Sequence, residues 1–158
     1  MAPGGRAIFP QEPYRAHSDY LLPARPVVLW YYTDMQDPRW IWGKKYIHLK
    51  QDKNMTNPQI IGLMNKQEWA AYVLNGQTFI KWAKFDEKAT YPDYGCNFEA
   101  FTNADMLEME TLGPLTKLPP SESVQHVEKW SLHKVSPTED EDSIDKLLLP
   151  LVTKKQLN

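Results

Sequence analysis

Apolar residues along the chain fall in short runs cut by Pro, Gly, Asn and Asp, a spacing that fits strands better than helices. The pattern predicts strands at Arg6–Phe9, Val27–Tyr32, Arg39–Trp42, Lys45–Lys50, Gln59–Met64, Glu68–Leu74, Gln77–Phe85, Cys96–Thr102, Asp105–Leu112 and Ser123–Lys134. Val27–Tyr32 is apolar throughout, as expected of a strand covered on both faces. The three runs between Gln59 and Phe85 read as a meander, the last two joined by Asn75-Gly76. That dipeptide favours a tight hairpin because both residues tolerate positive φ. A second hairpin is expected across Asn103-Ala104. The reading is all-β, an antiparallel sandwich over residues 1–135.

Residues 136–158 differ in character. Ser136–Asp142 is acidic and reads as a mobile linker. Asp142 or Ser143 then caps a short helix with Ile144, Leu148 and Leu151 on one face. Pro150 is expected to hold that helix to about two turns.

Composition narrows the function classes. A net charge of -2, with no basic run, argues against nucleic acid as the main partner. No apolar stretch approaches the roughly 20 residues of a membrane span, and the N-terminus lacks a signal-type apolar core, which points to the cytoplasm. Cys96 is the only cysteine, which excludes an internal disulfide and favours a small core side chain. No phosphate loop, nucleophile elbow or zinc motif is present, and no cofactor is implied.

Candidate chemistry lies in two strands. Alternation puts Glu108 and Glu110 on one face of Asp105–Leu112, about 7 Å apart. Two carboxylates so placed either bind hydroxyls and do acid–base work or simply coat a solvated face. In the long strand, Val124, His126, Glu128, Trp130 and Leu132 share the more apolar face. His126 and Glu128 therefore point inward, where they either line a wet cleft or pair structurally. The tryptophans and tyrosines, Trp30 to Tyr32 among them, offer stacking surface for a pyranose or serve as core.

One series of phrases carries a resemblance. Met106–Leu115 contains Leu-Glu-Met-Glu-Thr-Leu, Leu118–Ser123 forms a Pro-Pro-Ser-Glu turn, and Val127–Leu132 follows as a strand. This order is similar to the last strands of galactose-mutarotase-like proteins. Gly-Gly-Arg-Ala-Ile, Leu-Leu-Pro-Ala-Arg-Pro, Asp-Pro-Arg-Trp, Tyr-Gly-Cys-Asn-Phe-Glu and Thr-Asn-Ala-Asp-Met-Leu-Glu resemble a bacterial branch of that superfamily with no settled activity. The likeness spans about residues 4 to 134. It implies the C-terminal part of a β-supersandwich that binds sugars in an open cleft, the sugar class being unspecified.

The resemblance also assigns roles. Glu110 matches the general base of the aldose epimerases, with Glu108 as its backup, and His126, Glu128 and Glu99 are candidate substrate contacts. Neither histidine motif of those enzymes has a counterpart here, so efficient epimerase activity is not expected from this chain alone. A half-sandwich would leave apolar surface and sheet edges open, so a homodimer or a partner chain completing the sheet is expected. The alternative is a non-catalytic structural or interaction domain, or a truncated gene product. An enzyme built on His126 and Glu128 is a third reading.

Overall fold

The computed structural model describes residues 1–156, with the backbone alone for 154–156. Among the described residues, ten strands form two antiparallel sheets, followed by one helix. The strands are β1 (Arg6–Pro10), β2 (Val27–Val28), β3 (Trp40–Trp42), β4 (Tyr46–Lys50), β5 (Gln59–Leu63), β6 (Trp69–Leu74), β7 (Gln77–Ala83), β8 (Phe98–Thr102), β9 (Leu107–Thr111) and β10 (Glu128–His133), and the helix α1 is Glu141–Gln156. One sheet has six strands in the order β10-β7-β6-β1-β4-β3, and the other four in the order β2-β5-β8-β9. The all-β sandwich expected from the pattern is the fold.

Strand alternation builds two cores. Ala7, Phe9, Leu49, Ala70 and Tyr72 of the large sheet meet Ile61, Leu63, Phe98, Ala100, Leu107 and Met109 of the small one. The opposite side chains of the large sheet, Ile8, Tyr46, Trp69, Ala71, Val73, Ile80 and Trp82, meet Ile144, Leu148 and Val152 of α1. The protein thus has three layers, with the central strands of the large sheet covered on both faces. This explains why β1 and β6 carry nearly unbroken apolar runs.

Several elements differ from the sequence reading. The expected meander is split: β5 belongs to the small sheet, whereas β6 and β7 pair in the large one. The Asn75-Gly76 hairpin forms as expected, with φ of 49° and 76°. Of Val27–Tyr32 only Val27–Val28 is a strand, and Val27, Leu29, Tyr31 and Tyr32 are exposed, because this stretch crosses the outside of the small sheet. Residues 123–127 are not strand, so β10 begins only at Glu128.

The tail also departs from the expectation of a mobile linker and a two-turn helix. Arg6 Nη2 donates to the carbonyls of Pro137 (2.7 Å) and Thr138 (3.0 Å), and Glu139 pairs with Lys50 at 2.6 Å. The cap is Asp140, whose Oδ2 accepts from Ser143 N at 3.0 Å. Pro150 lies inside the helix, which runs 16 residues. Burial of Ile144, Leu148 and Val152 outweighs the one backbone hydrogen bond that proline forfeits.

Candidate carboxylate face

Leu107 and Met109 fill the inter-sheet core, so period-two alternation turns Glu108 and Glu110 to the outer face of the small sheet. Phe98 and Ala100 do the same on β8 and turn Glu99 outward beside them. Register places Gly62, Glu99 and Glu110 in one row across β5, β8 and β9, with Ile60, Phe101 and Glu108 in the next. Three residues singled out in the sequence, Glu99, Glu108 and Glu110, are therefore neighbours on one surface.

Two loops close over part of this surface. Trp30 N donates to Thr33 Oγ1 (3.1 Å), and Thr33 Oγ1 donates to the Ile60 carbonyl (2.7 Å), which pins the 30–33 turn to β5. Gly62 is required beneath it. A Cβ there would lie 2.4 Å from Cys96 Sγ and 3.2 Å from the Trp30 ring. Tyr31 and Tyr32, next in the chain, stay exposed. The second loop turns sharply through Asp93, Tyr94 and Gly95, at φ of 47°, 59° and 101°. Gly95 and Cys96 both donate to the Pro92 carbonyl, at 2.8 and 3.0 Å. This turn sets the Asp93 carboxylate against Glu99.

Electrostatics follow from that packing. Glu99 is 6% exposed, and its Oε1 receives no hydrogen bond among the described residues. Burial first, and then the charge and contact of Asp93, push its carboxyl up to about 7, with Glu110 adding repulsion. Glu110 is more exposed, yet it too is raised, by lost hydration and by Glu108 beside it. The row thus holds a buried carboxyl that gives up its proton only near neutrality beside a second, more exposed carboxyl that is also raised. Burial first, and then Glu99 and Asp93, push the Cys96 thiol up to about 12, which leaves it unreactive.

His126 and Glu128 fall in a separate cluster. Adjacent strand residues point to opposite sides, so Thr111 faces inward where Glu110 faces out. Glu128 accepts from Thr111 Oγ1, from Lys81 Nζ at 2.9 Å and from Trp130 Nε1 at 2.7 Å. Burial alone would raise this carboxyl, but those donors hold it below the ordinary value. Lys81 Nζ, 2.9 Å from the Met109 carbonyl, ties β7 to β9 across the sandwich. His126 Nε2 lies 2.9 Å from Thr111 Oγ1 and 3.8 Å from Glu128. Its ring also lines a cavity of about 410 Å³ with Trp82, Phe85, Tyr91 and Pro114, which takes in none of Glu99, Glu108, Glu110 or Glu128.

Asp93, Lys81, Thr111 and the placing of Trp30 escaped the sequence reading. Only Lys81, a lone charge between Ile80 and Trp82, left a local signal. Among the described residues no group of three or more His, Cys, Asp or Glu is placed to hold a metal ion, and no helix is long and apolar enough to cross a membrane. Comparison with known proteins gives no match: no family model fits the chain, and no curated protein or solved structure is significantly similar.

Proposed function

We propose that this chain is a carbohydrate-binding domain of the galactose-mutarotase-like kind, with its binding surface on the outer face of the four-stranded sheet. The observation that supports the reading is the exposed Glu110 of β9, in one cross-strand row with Glu99 of β8 and with Gly62 of β5, against which Trp30 packs. A carboxylate accepts hydrogen bonds from two neighbouring hydroxyls, and the C–H face of a pyranose packs on an aromatic ring. Glu108, Glu110 and Asp93 line this surface with acidic groups that repel anions, so the ligand is a neutral sugar rather than a uronate or sialic acid.

The same geometry argues for binding without efficient turnover. Glu110 is the base in this reading, but Glu99 is sealed beneath the Asp93 turn, and Thr111 holds His126 toward the other side of β9. A general acid and a general base each contribute about 10²–10⁴-fold, and here the acid side is missing.

Isothermal titration and saturation-transfer NMR against a panel of neutral aldohexoses test the reading. An open platform with one charged anchor gives dissociation constants on the order of millimolar. Glu110→Gln weakens binding about tenfold, the worth of a charge-assisted hydrogen bond, while His126→Ala leaves it unchanged. Silence across the panel overturns the proposal. Loss with His126→Ala but not Glu110→Gln overturns the placement and moves the sugar to the His126 cavity.

A further inference from the structure

The six-stranded sheet ends in β10, which pairs with β7 and, among the described residues, has no strand on its other side. Register with β7 sets Glu128 opposite Ala83, Trp130 opposite Lys81 and Leu132 opposite Phe79, so all three side chains lie on the inter-sheet face. Ala83 is covered there. Trp130, which packs on the edge-on Phe79 ring at 5.8 Å and donates to Glu128, is still 64% exposed, and Leu132 is 66% exposed. An edge strand carrying two largely exposed apolar side chains is a surface that soluble proteins normally blunt or bury.

We infer that a second copy of this chain covers it, by antiparallel pairing of β10 with β10 of the other copy. Charge and size complementarity select that occupant. A two-fold axis that keeps the apolar faces on one side must pass through a residue, so each register has one residue facing itself. Centred on Ser131, Trp130 of each copy packs on Leu132 of the other, and Glu128 meets Lys134. Centred on Trp130, the carboxylate of Glu128 would instead oppose Leu132, and that register is disfavoured. The Ser131 register continues the large sheet across the dimer and buries both aromatic–aliphatic pairs. Two six-residue strands and four apolar side chains place the interface at the small end of specific contacts, so the dimer is reversible.

Sedimentation of the full chain as a function of concentration reads the association. A monomer–dimer equilibrium is expected, with a midpoint on the order of 10 µM. Leu132→Lys returns the chain to monomer at every concentration. Cross-linking reads the register. Residues directly opposite in an antiparallel pair have Cβ atoms about 4.5–5.5 Å apart, close enough for a slightly adjusted disulfide. Ser131→Cys therefore yields a covalent dimer on mild oxidation, whereas Trp130→Cys, which faces Leu132, yields none. Cys96 is buried and does not compete. A wild-type chain that stays monomeric up to millimolar concentration, an unaffected dimer in Leu132→Lys, or cross-linking at 130 in place of 131 each overturns the proposal. The outcome is independent of whether sugar binds, because Glu110 lies on the opposite face of the small sheet.

Discussion

The two outer faces of the sandwich are built from the same pleated backbone and are finished in opposite ways. Outside the large sheet, a helix lays Ile144, Leu148 and Val152 onto Trp69, Ala71 and Ile80, and the surface becomes a second core. Outside the small sheet, two loops cover only part of the face and leave Glu108 and Glu110 with Asp93 and Glu99 beside them. Apolar burial is non-directional and favours full cover. Clustered carboxyls raise the cost of drying a surface, so the cover stops short there. The difference teaches where to look for function: the closed face holds the fold together, and the open face keeps unspent chemistry.

The largest test of that contrast is Leu148→Ala. Leu148 is fully buried between helix and sheet, so its truncation leaves a cavity and costs about 2–5 kcal/mol. Chemical denaturation measures it. Glu110→Ala, on the open face, changes stability by no more than about 0.5 kcal/mol. Comparable losses from the two variants would erase the distinction between a structural face and a spare one.

Next in size is Gly62→Ala, which asks how tightly the loops seat on the small sheet. The added methyl meets Cys96 Sγ at 2.4 Å and the Trp30 ring at 3.2 Å, and overpacking of this kind costs about 1–3 kcal/mol. Cys96→Ala removes the nearer clash, so the double variant recovers much of the loss, and a double-mutant cycle reads the coupling. Simple additivity would mean that the loops lie off the sheet.

How much of this could be read from the chain depends on the range of the interaction. Period two alone places Glu108 and Glu110 on one face, and Asn75-Gly76 alone sets a hairpin; both are local, and both are present. Val27–Tyr32 misled because an apolar run suits a loop laid over a sheet as well as a buried strand. The deciding contacts, Trp30 on Gly62 and Thr33 on Ile60, are long-range. Ser123–Val127 misled for a related reason: alternation continues there, but β7 ends at Ala83, opposite Glu128, and offers no further partner. Asp93 came to Glu99 through a turn whose three positive φ values are announced only by Gly95.

The smallest expected effect is the most diagnostic, because it reads both faces with one titration. His48, 1% exposed on the helix side of β4, is pushed down to about 4 by burial first and then by Arg6, with Lys50 adding to the effect and Glu139 opposing it. The unfolded chain takes up that proton at its ordinary value near 6.5, so stability is complete above about 6.5 and is lost as pH falls through 4. Glu99 runs the other way. Its carboxyl is raised from 4.5 to about 7, so the folded state holds the proton more tightly, and stability declines as pH rises from 4.5 through 7. The two slopes oppose each other between about 4.5 and 6.5 and flatten the wild-type profile. Glu99→Gln removes the decline toward pH 8 and raises Tm there by about 3 °C or more relative to its change at pH 5. His48→Gln removes the acid-side loss and leaves the pH 8 value in step with the rest of the curve. Profiles of the two variants that ran parallel to wild type would show that neither face titrates as its packing dictates, and that burial beside Asp93 does not hold a proton on Glu99.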